Sequence, residues 1–422
     1  MSTTPRPLLF RFVFTLLVLL ASVGLAVAQH EGGVTGGGTI GGGSTSRPST
    51  KPPANKPSST TSTTRKRPPA TTSTKKPGTT TSGTTAGTSK PSGTPTTGTT
   101  GSSSSTADYY YQQGEALYND KKYSEALEPY EKAAQLNPQM SSAFYRIGWI
   151  HNDLEDYEEA VEPLKRAVAL APNYAAAHFE LGYAYKKLER YTESLAAFQQ
   201  CVRAKPDYAA AHYEIGWVQN DLKNYNEAIK SLTLAMQYRA NYAEARNEMG
   251  YALRNLGRYN EAIQEYQEAI RIKPDMGLAH LGLGDVYYYN TKNYTEAAKA
   301  YQEGTRLRPG NATALYNLGW CYNDLQRYPD AITALRNAIS ANPNYAEAYN
   351  EMGYALHQLN RYGEAVQSYQ SAIRNKADYA SAHYNLGMSY IALRNRNAAL
   401  EQYRILQRID TARATKLFNQ IK

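Results

Sequence analysis

Beyond residue 106, apolar side chains recur three and four positions apart in two short runs separated by a polar break, and the two-run unit then begins again. Residues i, i+3 and i+4 share one helical face, so the spacing predicts a pair of amphipathic α-helices in each unit. "GWIHNDLEDY" from Gly148 contains one such break, and "GWVQNDLKNY" from Gly216 and "GWCYNDLQRY" from Gly319 rewrite it almost letter for letter. Glycines serve as a ruler: Gly114, Gly148, Gly182, Gly216, Gly250, Gly284, Gly319, Gly353 and Gly387 are separated by 34 residues at every step except one of 35. Fixed intervals imply repeated environments. They divide the chain into nine copies, 107–140, 141–174, 175–208, 209–242, 243–276, 277–311, 312–345, 346–379 and 380–411, followed by 412–422.

With each glycine taken as the eighth residue of its copy, the twentieth is small (Ala126, Ala160, Ser194, Ala228), and so is the twenty-seventh (Ala133, Ala167, Cys201, Ala235). Tyrosine holds the seventeenth position, as in Tyr123, Tyr157 and Tyr191, and a proline such as Pro138, Pro172 or Pro206 closes most copies. Small residues let two helix backbones approach closely, and the proline stops the second helix. This set of Gly, Tyr, Ala, Ala and Pro resembles the tetratricopeptide repeat family from Ala107 to about Thr411. The resemblance implies an all-α fold, a right-handed α-solenoid of about nine helix-turn-helix repeats with an inner groove lined mainly by the first helix of each. Residues 412–422 then read as a capping helix over the last apolar face.

A longer period runs inside the shorter one. Copies opening Gly-Trp alternate with copies opening Gly-Tyr, and segment 241–275 matches 344–378 at 25 of 35 positions, which suggests a duplicated pair of 34-residue units. The copy at 277–311 breaks the pattern with Asp285 and one extra residue in "YYYNTKNY", so a distinct local surface is expected there.

Positions 4, 7, 8 and 11 of the first helix form the stripe that meets the second, leaving positions 2, 5, 9, 12 and 13 as a neighbouring stripe. In the resembled family that stripe lines the groove. It would place there Tyr145, Phe179, Tyr213, Tyr316 and Tyr384 from position 5, and Trp149, Tyr183, Trp217, Tyr251, Trp320 and Tyr354 from position 9. The pairs Asn152-Asp153, Asn220-Asp221 and Asn323-Asp324 stand one turn further on. Rings beside amides and carboxylates make an amphipathic strip suited to binding. The other reading of the position-9 rings is packing between adjacent first helices. No basic set like the family's carboxylate clamp for chaperone tails follows Tyr111 and Glu115, which argues against that role.

Composition separates the rest of the chain. Residues 1–106 hold 11 Lys and Arg against the single acid Glu31, leaving 35 basic and 36 acidic residues behind them, so the overall charge of +9 belongs to the front. The nearly neutral repeat region offers no bulk attraction for nucleic acid. Arg6 and Arg11 flank the run "FVFTLLVLLASVGLA", and Ala26-Val27-Ala28 fits a signal-peptide cut before Gln29, with a retained anchor as the alternative. Export is therefore expected, to a periplasmic, cell-surface or secreted location. Residues 29–106, rich in Gly, Thr, Ser, Pro and Lys, lack the apolar side chains that offset ordering entropy and read as a disordered basic linker. It would touch an anionic cell envelope weakly at most.

Chemistry beyond binding finds little support. His178, His212, His280 and His383 are whole repeats apart at position 4 and cannot share a metal ion. Cys201 and Cys321 are 120 residues apart and are not expected to pair. Asn293-Tyr294-Thr295 and Asn311-Ala312-Thr313 fit the glycosylation sequon, a short motif that also arises by chance. There is no nucleophile elbow, zinc-protease helix or phosphate loop, so no catalytic residue, cofactor or metal is expected. The expected function is a non-catalytic scaffold that holds a protein or peptide segment in an aromatic groove, with envelope polysaccharide as the alternative ligand of the Trp and Tyr stripe.

Overall fold

The computed structural model describes residues 102–422. The expected signal peptide at 1–28 and the expected linker from 29 to 101 lie outside the described residues. Nineteen α-helices follow one another, and no strand occurs among the described residues. The nine first helices are α1 (Ser102–Asn119), α3 (Ser141–Asp153), α5 (Ala175–Lys187), α7 (Ala209–Asp221), α9 (Ala243–Asn255), α11 (Gly277–Asp285), α13 (Ala312–Asp324), α15 (Ala346–Gln358) and α17 (Ala380–Ala392). Their partners are α2 (Tyr123–Leu136), α4 (Tyr157–Leu170), α6 (Tyr191–Ala204), α8 (Tyr225–Tyr238), α10 (Tyr259–Ile272), α12 (Tyr294–Leu307), α14 (Tyr328–Ala341), α16 (Tyr362–Asn375) and α18 (Arg396–Ile409). The chain closes with α19 (Thr411–Ile421), capped by the Asp410 carboxylate, which accepts from the Arg413 N–H at 2.9 Å. Helix α1 starts at Ser102, more than a turn before the expected boundary at 107, because the serine run simply extends the first helix backwards.

Each pair closes around its glycine. A Cβ at Gly148 would sit 2.4 Å from Leu164 Cγ, and one at Gly182 would sit 2.7 Å from the Phe198 ring, so only glycine lets the second helix come this close. The residue facing the glycine is leucine in the Gly-Trp copies (Leu164, Leu232, Leu335) and an aromatic ring in the Gly-Tyr copies (Phe198, Tyr266, Tyr369). Both spacings, 34 and twice 34, are thus written into the packing.

Successive first helices also touch one another, α3 with α5, α5 with α7, α7 with α9, α9 with α11, α13 with α15 and α15 with α17. No comparable packing joins consecutive second helices, so the first helices make a wall, whose steps from α1 to α3 and from the sixth copy to α13 are bridged by side chains, Glu115 with Arg146 and Tyr288 with Trp320. In the copy at 277–311 the extra residue is absorbed by a π-helical turn, Val286–Thr291, directly after α11.

The polar residues flagged by the sequence have structural uses. Nε2–H of His178, His212, His280 and His383 donates to the carbonyl six residues earlier at 2.8–3.0 Å, pinning each first helix to the preceding loop. Asn293 and Asn311 of the two sequons cap α12 and α13, their Oδ1 atoms accepting from the Glu296 and Ala314 N–H groups at 3.3 and 3.0 Å. Cys201 and Cys321 are free and buried, and burial pushes both thiols up to about 12, away from reactivity.

Candidate functional site: the wall of first helices

The position-9 rings are half-buried, each against the tyrosine that opens the second helix of the preceding copy, edge-on in five pairs and tilted in that of Tyr191 and Trp217. Ring centroids are 5.3 Å apart for Tyr123 and Trp149, 6.2 Å for Tyr157 and Tyr183, and 6.4 Å for Tyr191 and Trp217. The series continues with Tyr225 and Tyr251 at 6.3 Å, Tyr294 and Trp320 at 4.9 Å, and Tyr328 and Tyr354 at 6.3 Å. Edge-on contact of this kind fixes a ring without covering all of it. The position-5 rings Tyr145, Phe179, Tyr213 and Tyr316 are also half-buried, each against the tyrosine that ends its own copy, at 4.9, 5.2, 5.1 and 5.0 Å. Tyr384 is half-buried beside the terminal cluster of α18 and α19.

The asparagines are placed differently from expectation. Asn152, Asn220 and Asn323 do not project outward: they are 3, 1 and 4% exposed. Each Nδ2 donates to both the backbone carbonyl and the carboxylate of a glutamate 28 residues on, in the next first helix: Glu180 (3.0 and 2.9 Å), Glu248 (3.0 and 3.1 Å) and Glu351 (3.1 and 3.2 Å). Position 12 lies where adjacent first helices meet, a contact that the periodicity of a single helix does not reveal. Their neighbours Asp153 and Asp324 are exposed and Asp221 is partly exposed.

These bridges explain the longer period. Gly-Trp copies end their first helix in Asn-Asp and form an amide–carboxylate joint with the Gly-Tyr copy that follows. The other joints use ions or rings. Lys186 pairs with Glu214 at 2.5 Å and lies 4.7 Å from the Trp217 ring centre. Arg254 pairs with Asp285 at 2.8 Å, and Asp285 also accepts from the Tyr301 hydroxyl at 2.8 Å. Glu115 holds Arg146 through two bonds of 2.6 and 2.9 Å, and the guanidinium keeps its carboxyl below the usual range against the opposing effect of burial. At the π-turn, Tyr288 meets Trp320 edge-on at 5.2 Å, and Asn317 Nδ2 donates to the Tyr289 and Tyr301 hydroxyls at 3.0 and 3.1 Å.

Charge is segregated as well. The nine first helices carry twelve acidic residues against five basic ones, Arg146, Lys186, Lys187, Arg246 and Arg254. The remainder of 107–422 carries thirty basic residues against twenty-four acidic ones. Near-neutrality of the whole repeat region therefore conceals a net acidic set of first helices, in which Glu180, Glu214, Glu248 and Asp285 are buried; counting charge by helix would have exposed the imbalance.

Family models agree with this architecture. Models described as "TPR repeat" match residues 148–189 and 250–290, and models described as "Tetratricopeptide repeat" match 107–140, 179–242, 281–344, 324–380 and 350–414. No curated protein is significantly similar to the chain. Similar solved structures include YrrB, described as a TPR protein with an unusual peptide-binding site, at 24% identity over 44% of this chain and 95% of that one, TM-score 0.39. The C-terminal part of a TPR repeat-containing protein from Cytophaga hutchinsonii is 16% identical over 57% of this chain and 99% of that one, TM-score 0.47. A tetratricopeptide repeat protein from Parabacteroides merdae is 15% identical over 60% and 99%, TM-score 0.46. With its repeats matched from 107 to 414 and its helices paired throughout that span, the chain belongs to the tetratricopeptide repeat family.

Proposed function

We propose that this chain is an exported, non-catalytic scaffold that holds an extended protein segment against the wall of first helices. Tetratricopeptide repeat proteins commonly serve as protein–protein interaction scaffolds, and a fold that hosts many ligands leaves the partner to the details of the surface. The observation that carries the reading is the row of half-buried rings at position 9, each braced from behind by a tyrosine. Rigid aromatic side chains supply contact area at low entropic cost, as binding hot spots require. Export rests on the opening sequence, with Gln29 as the first residue of the mature chain.

Photo-crosslinking in the native cell tests this. A benzophenone amino acid at the exposed positions Asp153 and Asp324 is expected to give protease-sensitive adducts. The same group at Glu162 and Arg306, exposed on the second helices, is expected to give none of the same size. Adducts from the second helices alone would overturn the reading. Adducts that resist protease and yield to glycosidase would replace a protein partner with a polysaccharide.

A further inference from the structure

We propose that copies of this chain join head to tail, the acidic first copy of one molecule seating on the basic helices that end another. Charge in the repeat region is polarised along the chain. Residues 107–174, the first two copies, carry twelve acidic residues against six basic ones. The six copies from 175 to 379 balance at twenty-two of each, and residues 380–422 carry seven basic residues against two acidic ones. Opposite charges therefore stand at opposite ends of the array, and they are available. Among the described residues Asp108, Asp120, Glu128 and Glu131 of the first copy form no ion pair, nor do Arg394, Arg408 and Lys416 at the other end, and all seven are exposed. The stretch from Pro91 to Ala107 that leads into α1 carries no charge.

The head also presents a helix face that every other copy covers. In each of the eight later copies positions 3 and 10 of the first helix are buried, as Ala143 and Ile150 are in the cluster they share with Ala126 and Ala133 of the copy before. In the first copy the same positions hold Tyr109, 59% exposed, and Ala116, also exposed. At the other end α19 lays Leu417 over Gly387 and leaves Ala412, Thr415, Lys416 and Asn419 exposed at helical spacing. Arg408 and Ile409, both exposed, stand just before it at the end of α18. Each end thus has an uncovered apolar side chain among charges of one sign, and the signs are opposite, which suits a contact with an apolar centre and a charged rim. A tyrosine supplies large contact area at such a centre. A separate partner would account for one end only, whereas a second copy accounts for both with a single contact. Because that contact joins unlike surfaces, it can repeat and build closed rings or longer chains.

The test is sedimentation velocity on the full chain at about 0.1 M and about 1 M salt, where screening sets in beyond about 10 Å and about 3 Å. At the lower salt, raising the concentration about tenfold is expected to turn monomer into species of two or more chains, and at the higher salt monomer should remain. Two charge-reversed variants, altered only at exposed positions, locate the contact. The head variant carries Asp108→Lys, Asp120→Lys, Glu128→Lys and Glu131→Lys, and the tail variant Arg404→Glu, Arg408→Glu and Lys416→Glu. Each alone is expected to stay monomeric, since its two ends no longer differ in sign. Mixed in equal amounts they should associate again, the basic tail of the first on the acidic head of the second, which shows that both are folded. Tyr109→Ala leaves every charge in place and is expected to weaken association about tenfold. Monomer at both salts, association indifferent to salt, an unchanged affinity in Tyr109→Ala, or a mixture that stays monomeric would each overturn the inference. So would dimers of the head variant alone, which would pair tail with tail, or of the tail variant alone, which would pair head with head.

Discussion

Eight of the turns that join a first helix to its partner put a residue with a side chain in the left-handed region: Lys121, Glu155, Glu189, Lys223, Lys292, Gln326, Asn360 and Arg394, with φ between 57° and 66°. The ninth uses Gly257, at φ 76°. In the second copy the Asp156 N–H reaches back to the His151 carbonyl at 2.8 Å, so the left-handed residue is what lets the helix end satisfy its last carbonyls. An L-residue costs about 1 kcal/mol or more in that region, and glycine does not. Glu155→Gly, Glu189→Gly and Lys223→Gly are each expected to stabilise the array by about 0.5–1 kcal/mol, net of the freedom glycine gains in the unfolded chain. Urea titration of the triple variant checks this, and a midpoint equal to or below that of the parent would refute it. These turns were poorly legible in the sequence. Their hand is written as glycine once and as asparagine once in nine copies, and elsewhere as lysine, glutamate, glutamine or arginine, residues that ordinarily signal an exposed helix.

Between elements, the sequence was readable wherever one helix determined the outcome and misleading where two did. Periodicity located the glycine ridge and the tyrosines at position 17, because those follow from the hairpin itself. It misassigned Asn152, Asn220 and Asn323, because a polar residue at a helix end looks exposed until the next first helix is laid against it. The joints have a cost in charge. Burial pushes the Glu351 carboxyl above the usual range, against the lowering effect of the Asn323 and Asn350 amides. An acid whose folded pKa is raised contributes stability that is full below its unfolded value, about 4.3, and lost as the pH rises through the folded value. Glu351→Gln removes this liability while keeping an acceptor for Asn323. The variant is expected to be more stable than the parent at pH 7, with the gap closing as the pH falls toward 4. Unfolding curves at the two pH values decide it: a gap of opposite sign, or one that does not shrink in acid, would show that the joint prefers the charged carboxylate.

At the scale of the whole array there is no single core. Buried apolar residues fall into separate clusters: one ties the second and third copies together around Leu164 and Leu181, another spans the fourth to the sixth around Leu232 and Tyr266, and a third runs from the sixth to the ninth around Leu335 and Tyr369. The last is followed by a terminal cluster in which Leu417 of α19 covers Gly387, the place a second-helix residue fills in the other copies. Stability in such a molecule is a sum of local contributions and nearest-neighbour couplings. Leu164 is fully buried against Gly148, so Leu164→Ala leaves a cavity costing about 2–5 kcal/mol. In a globular domain that loss would lower protection everywhere. Here amide hydrogen exchange is expected to accelerate in α3 to α6, which share the damaged cluster and its immediate joints, and to stay at the parent rate in α13 to α18. The intervening joints at Lys186 and Arg254 are the route by which the damage could spread. Uniform acceleration along all nine copies would mean that those ion-paired joints couple the array tightly enough for it to unfold as one body, and the view of independent neighbours would have to be given up.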